Sequence, residues 1–437
     1  MSVCGKRAEN GNRRSPYQLN QKLNQRSWVL RNPLIMRKSL DADEHLSVKD
    51  RIPISRRALL GLPLILSAQT RTADDLFDGS QVHDLRLELD PANWQTLRDT
   101  YLENNWYRAS LNWSGINAQC SIRSRGNGSR NATKPGLKVS FTRFADSGPF
   151  LGLDTVILTN LTQDPTMLKN YLAQQLFVRA GLPAPRFSVA RLTVNGEFWG
   201  VYGVGEEIDD RFLTSRFGEK SGYLYEYSWQ NLNGFEDRGD ETSSYSPLPF
   251  NPKTNTKSPD PQPLADLIIG ANRTSDAAFL PHLQNYLNPE QYLTLLAVEA
   301  YYDDRDGQVG DWGMNGFYLY RFARTSNFWV LPWDKDWSFF EAERPPFYQT
   351  GTNIIARRLL AIPQYNLFYR NELRRIAALA GGPGGWLESQ MQSRITHLRS
   401  SYRTDSKKPY LNGFQDEQMQ LLTNFIRQRH PKLIAQL

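Results

Sequence analysis

The sequence predicts an α+β protein whose strands come first and whose helices come last. Three observations carry this. Apolar and polar residues alternate through Tyr107–Trp113, Ala118–Ser124 and Leu137–Phe144, the period-two mark of half-buried strands. Asn195-Gly196 separates two apolar runs, Phe187–Val194 and Phe198–Val204, which is the strongest short-range hairpin signal. Helical patterning takes over at Asp276 and is mostly continuous after Asn353, broken by Gly381-Gly-Pro-Gly-Gly385,.

The elements follow in order. Leu87 to Asp90 leads into a short helical pattern around Ala92–Tyr101. The three alternating segments then read as an antiparallel sheet. Between its last two strands lies Arg123-Ser-Arg-Gly-Asn-Gly-Ser-Arg130. Glycines let backbone N–H groups approach an anion there, and arginines add charge; an ordinary polar hairpin loop has the same composition. Asp164-Pro165 opens a helix, with Asp as N-cap and Pro at the first helical position. Leu168, Leu172 and Leu176 form its apolar stripe and Gly181 stops it,. The Asn-Gly hairpin ends at Glu206-Glu207. From Ser228 to Thr274 the composition shifts to Pro, Ser, Asn, Asp and Thr, which predicts an irregular insertion over about 230–272. Helices resume over Asp276–Tyr286 and after Asn288-Pro289, where Leu293, Leu296, Ala297 and Tyr301 share a face. The expected division is a β-rich lobe over 75–207 and a mostly helical lobe over 208–437.

Composition narrows the classes. The chain has 437 residues, 40% of them hydrophobic, enough for a sizeable core and incompatible with collagen-like or fully disordered classes. The net charge of +7 suggests an anionic partner until it is located. Residues 1–70 hold 13 Lys/Arg against 5 Asp/Glu, leaving 39 against 40 for the rest. The basicity therefore belongs to the leader, and the body shows no nucleic-acid reader motif. Cys4 and Cys120 cannot build a disulfide framework, and no zinc-type spacing exists among the five histidines,.

Ser55-Arg56-Arg57-Ala58-Leu59-Leu60 precedes an apolar stretch ending at Ala68. That stretch is too short to cross a bilayer and suits a signal-peptide core. The Arg pair resembles a twin-arginine export signal, so residues 1–70 are expected to be a leader for export; without it the protein would be cytoplasmic. Met36 is an alternative start, which would make residues 1–35 an artefact.

The most informative segment runs from Tyr301 to Phe340. A helix ends at Tyr302, and an acidic loop carries Asp303, Asp304, Asp306 and Asp311 towards Asn315. A hairpin follows, Gly316–Phe322 and Phe328–Leu331, delivering Pro332-Trp333-Asp334-Lys335-Asp336. Carboxylates thus cluster at both ends of one hairpin. Hard oxygen donors suit Mg²⁺ or Mn²⁺ held together with substrate phosphates. Helix, Asp/Asn loop, hairpin and second Asp is also the order of parts in protein-kinase active sites. A solvated acidic loop or a calcium-stabilised loop is the plainer alternative.

Several blocks resemble the CotH kinase family, the spore-coat-H-like atypical kinases, from about Asp75 to the C-terminus. They are Ile122–Ser129, Lys134-Pro-Gly-Leu-Lys138-Val-Ser-Phe141, Asp164–Asn170, Val194–Tyr202 through Glu206, Asn315–Tyr320 and Leu331–Asp336. The resemblance implies a two-lobed protein-kinase-like fold that binds ATP with Mg²⁺ or Mn²⁺ and phosphorylates protein Ser/Thr hydroxyls. It implies Asp311 as catalytic base, with Asp306 and Asp304 as rivals. Asn315, Asp334 and Asp336 would hold metal; Lys138, Arg125, Lys134 and Glu206 would serve the nucleotide. Three positions depart from the family pattern. Ala173-Gln174-Gln175 stands where an acidic partner for the strand lysine is common, Arg125 replaces a lysine, and Glu226 replaces another. These departures, with the export signal, leave a surface-interaction protein of weak or no catalysis as the alternative.

Overall fold

A computed structural model describes residues 71–144, 148–230 and 234–437, together with the backbone of a two-residue strand, β1 (Asn24–Gln25). The expected twin-arginine signal, Ser55–Ala68, lies outside the described residues, as does the rest of the expected leader apart from β1.

The first part is β-rich. After the short helix α1 (Ala73–Leu76) come β2 (His83–Glu88), α2 (Pro91–Asp99), β3 (Tyr107–Trp113), β4 (Ile116–Arg125), β5 (Gly136–Ser140) and β6 (Thr155–Thr159). Then follow α3 (Lys169–Arg179), β7 (Phe187–Val194) and β8 (Glu197–Glu206). Seven strands close into a barrel in the order β2-β3-β4-β5-β6-β8-β7. The sheet expected to be antiparallel throughout closes through one parallel pair, β2 with β7. Strand β2 alternates buried and exposed residues along its length, so its inward set can join the barrel core. That core holds Leu85, Leu87, Trp113, Ile122, Leu137, Val139, Leu192 and Val204. Asp90 caps α2 by accepting from the N–H groups of Ala92 and Asn93.

Helix α3 starts at Lys169, four residues later than the Asp-Pro signal suggests. The Asp164 carboxylate still caps it, accepting from the Leu168 and Lys169 N–H groups at 2.8 and 2.9 Å. It does so across a turn in which Met167 takes φ 60°. The stripe Leu168, Leu172 and Leu176 is fully buried, in the larger core, where Phe177 meets Tyr302 edge-on at 5.8 Å.

The second part is mostly helical around a small sheet. It comprises α4 (Asp210–Phe217), β9 (Tyr223–Tyr227), β10 (Phe250–Pro252), α5 (Gln262–Arg273), α6 (Asp276–Tyr286) and α7 (Pro289–Tyr301). These are followed by β11 (Phe317–Arg321), β12 (Phe328–Pro332), α8 (Ile354–Leu360), α9 (Pro363–Ala380), α10 (Trp386–Thr404) and α11 (Asn412–Ile434). The sheet order is β1-β12-β11-β9-β10. Residues 230–272, expected to be irregular, contain β10 and most of α5. The run Leu264, Ala265, Leu267, Ile268, Ala271 has helical spacing and is buried; the polar residues before it masked that pattern.

A buried ion pair joins the two parts. Lys134 Nζ lies 2.6 Å from Asp405 Oδ2, with both side chains fully buried. The same oxygen accepts from the Val201 N–H at 2.9 Å. Gly200 makes this approach possible: a Cβ there would sit 2.4 Å from Asp405 Oδ1.

Candidate functional site

The acidic loop packs directly against the segment that follows β12. The Arg305 N–H donates to the Trp337 carbonyl at 2.9 Å, and the Phe339 N–H to the Tyr302 carbonyl at 2.6 Å. Lys335 Nζ, fully buried, bonds both Asp304 and Glu299. Burial works against its charge, and the two carboxylates outweigh burial and hold the ammonium above its ordinary value. Burial in turn pushes Asp304 and Glu299 up, with Lys335 opposing. From the far end of the chain, Arg429 on α11 donates to the carbonyls of Tyr301, Ala300, Ala342 and Arg344. It ties the start of the loop to the segment that follows β12.

Asp334 exits β12 with φ 35°, a backbone strain for a non-glycine residue that other contacts must hold in place. Asn170 on α3 supplies some of them. Its Oδ1 accepts from the Lys335 N–H at 3.1 Å, and its Nδ2 donates to Asp334 at 3.4 Å. Asp334, Asp336, Asn170 and Arg125 line one narrow cleft between barrel and hairpin. Arg125 lies over Trp333, 5.3 Å from its ring centre. The hairpin therefore brings its carboxylates to the end of β4, where the basic loop begins. Gly126 starts that loop at φ 115°, where a Cβ would meet Ser129 Oγ at 2.5 Å. A narrow, more apolar slot adjoins, walled by Ile157, Pro185, Phe187, Gly205 and Trp333 and sharing Arg125, Asn170 and Asp334 with the cleft.

The remaining predicted residues fall in different places. Lys138 faces a neighbouring cavity that also contains Arg125. It pairs with Glu207 at 3.2 Å, so the acidic partner absent from α3 comes from the end of β8. Glu206 faces the other way, as strand alternation requires. It is buried and held by Arg186 at 2.5 Å and Arg216 at 2.9 Å, away from Lys138. Lys134 is consumed by Asp405 and does not line the cavity. Asn315 is fully buried and donates to Asp306 at 2.8 Å. Asp311 turns from Asn315 to Arg344, at 2.9 Å, and Arg305, at 3.6 Å. Gln174, in the position where an acid is common, donates to Asn170 at 3.3 Å.

Sequence reasoning missed Glu207, Lys335, Asn170 and Arg429 as parts of this assembly. Strand alternation was the available signal for Glu207, since its neighbour had been singled out. Lys335 stood between two singled-out aspartates. Nothing local marks Arg429, because its partners are set by packing.

The donor set fits a divalent cation. No cluster of three or more His, Cys, Asp or Glu able to hold a metal occurs among the described residues. Two carboxylates, Asp334 and Asp336, do share the cavity, and Mg²⁺ is often bound by one or two carboxylates plus substrate phosphates.

The molecule is thus an α+β protein with a cationic strand end facing a carboxylate pair. It belongs to the CotH kinase protein family, whose profile matches residues 122–433. Inner spore coat protein H of Bacillus subtilis (strain 168) is 28% identical over 216 residues, 49% of this chain and 57% of that protein. The chain therefore spans little more than half the length of that curated relative. Among solved structures, the Helicobacter pylori proinflammatory kinase CtkA aligns over 75% of this chain and 89% of its own, with 6% identity and a TM-score of 0.28.

Proposed function

We propose that this chain transfers a phosphoryl group from ATP to a Ser or Thr hydroxyl of a protein, working as a two-lobed, kinase-like enzyme with the barrel as its first lobe. The observation that carries this reading is the shared cavity of Arg125, Asn170, Asp334 and Asp336. It sets phosphate-binding charge opposite hard oxygen donors. Asp334 and Asp336 are the residues that would hold Mg²⁺ or Mn²⁺, which when bound neutralises charge on the phosphates. Arg125 and Lys138 contact phosphate oxygens, Arg125 through its planar fork and Lys138 as a point charge. The apolar slot beside Trp333 takes the base.

Asp306 is a better base than Asp311. It follows Arg305, whose backbone is bonded to Trp337 beside Asp336, and it is bonded to Asn315. Asp311 is instead neutralised by two arginines. In the step itself the acceptor hydroxyl gives its proton to the Asp306 carboxylate. Its oxygen bonds to the terminal phosphorus, and the bond from that phosphorus to the bridging oxygen breaks, releasing ADP.

The relative's name, inner spore coat protein H, together with the leader, supports a coat or surface location. Among the described residues no helix is long and apolar enough to cross a membrane.

The test is transfer of labelled terminal phosphate by the purified chain with Mg²⁺ or Mn²⁺. Asp334→Ala abolishes it, Asp306→Asn lowers kcat by about 10²–10⁴-fold, and Asp311→Asn lowers it less. Absence of transfer to itself or to Ser/Thr-rich proteins, with either metal, sinks the kinase reading and leaves a binding protein on this fold.

A further inference from the structure

The reaction above leaves most of a second cavity unexplained. It measures about 220 Å³ and shares Arg125 with the first. Five cationic side chains line it, Arg123, Arg125, Arg130, Lys138 and Lys253, against two carboxylates, Glu207 and Glu226. Both carboxylates are already engaged: Glu207 pairs with Lys138 at 3.2 Å and Glu226 with Lys253 at 2.5 Å. Among the described residues the three guanidinium groups have no ion pair.

Neutral groups hold these arginines in position. Arg130 donates to the carbonyls of Gly126, Tyr101, Leu102 and Glu103 and to Asn104 Oδ1. Arg123 donates to Asn104 and lies 5.3 Å from the Trp106 ring centre. Fixed like charges in a recess repel one another, and low surrounding dielectric strengthens that repulsion. Burial first, then the neighbouring arginines, lower the proton affinity of Arg123. An anion relieves the repulsion, and prepositioned guanidinium forks suit carboxylate and phosphate oxygens in particular.

Arg125 lines both cavities, so an occupant of the second has its near end at the proposed transfer site. Lys253, on the residue after β10, joins the lining beside Glu226 and Tyr318. We infer that this second cavity binds acidic or already phosphorylated residues flanking the acceptor hydroxyl, making Arg123 and Lys253 determinants of acceptor specificity. The inference rests on the phosphotransferase reading. A flanking phosphoserine brings nearly two negative charges and three acceptor oxygens.

The experiment uses the full chain with ATP and Mg²⁺. Its acceptors are Ser-containing peptides whose flanks are phosphoserine, Asp, Ala or Lys. The acidic and phosphorylated peptides have a KM about tenfold below the Ala peptide, and the Lys peptide is the poorest. Arg123→Gln and Lys253→Gln each erase most of that preference without changing the KM for ATP, while Arg123→Lys restores part of it. Preference for Lys flanks overturns the inference. So does a raised KM for ATP in either variant, because the cavity then belongs to the nucleotide. If no peptide is phosphorylated, the phosphotransferase reading fails by itself. Anisotropy of a labelled phosphoserine peptide on the nucleotide-free protein then decides the cavity. Saturable binding lost in both variants upholds an acidic-peptide site. No binding, or displacement by an oligonucleotide more readily than by acidic peptide, removes it.

Discussion

Lys134 separates a structural from a ligand-binding role. Replacing it with Met removes the ammonium from a fully buried pair at 2.6 Å and leaves Asp405 in place. Taking one partner from a buried ion pair costs about 3–5 kcal/mol, because the other charge stays uncompensated. Asp405 keeps backbone N–H donors from Val201, Lys407 and Lys408. These offset part of the desolvation, so the expected loss is about 3 kcal/mol. An unfolding entropy of about 2.1 cal/mol/K per residue over residues 71–437 turns this into a melting-temperature drop of about 4 °C. Calorimetry measures the drop, and steady-state kinetics measure the KM for ATP, which stays unchanged. Adding Asp405→Asn recovers part of the loss, since it removes the orphaned charge; the coupling appears in the double-mutant cycle. An unchanged melting temperature with a tenfold higher KM for ATP would refute the reasoning. Lys134 would then be a phosphate contact after all.

Three further outcomes follow from the same geometry. Glu207→Gln frees Lys138 and raises the KM for ATP severalfold with little stability loss, because a pair that still reaches solvent is worth about 1 kcal/mol; Glu206→Gln does the reverse, since its two arginines lose a buried partner. Burial, with Glu207 and Asp154 nearby, pushes the Asp209 carboxyl up to about 7 despite N–H bonds from Phe212 and Arg211. The folded state therefore binds a proton between about pH 4 and 7 that the unfolded chain does not, and this group's contribution to stability rises as pH falls through that window. Asp209→Asn is accordingly more stable than the parent at pH 8, and the gap in urea midpoint closes by about pH 4. Cys120 is buried in the barrel, and burial pushes its thiol up to about 12. In a Cys4→Ser background it stays unmodified by a thiol reagent at pH 8 until denaturant is added; modification of the native chain counts against the closed barrel.

Strand and hairpin positions were legible because their signals are local. Tyr107–Trp113 and Phe187–Val194 match β3 and β7 residue for residue, and helices start where the pattern resumes, at Asn288 and Asn353, whose side chains cap them. The meeting of the acidic loop with Asp334–Asp336 was also legible, because a hairpin returns its ends to one place. What stayed hidden depends on long-range pairing. Closure of the barrel by β2 and β7 leaves no mark in either strand. Glu207 rather than Glu206 facing Lys138 is decided by which side of β8 matches that of β5, with β6 between them. The orientation of Asp311 depends on Arg344, which a loop-spacing argument cannot see.

Arg429 gives the site a place in time as well as in space. It lies 128 residues after Tyr301, whose carbonyl it holds. During synthesis the barrel strands, the acidic loop and the hairpin all leave the ribosome before α11 does, and chains grow at about 5–20 residues per second. For that interval, several seconds at such rates, nothing from α11 ties the start of the loop to the segment after β12. The packing of the acidic loop against the segment after β12 is therefore one of the last things the nascent chain can complete.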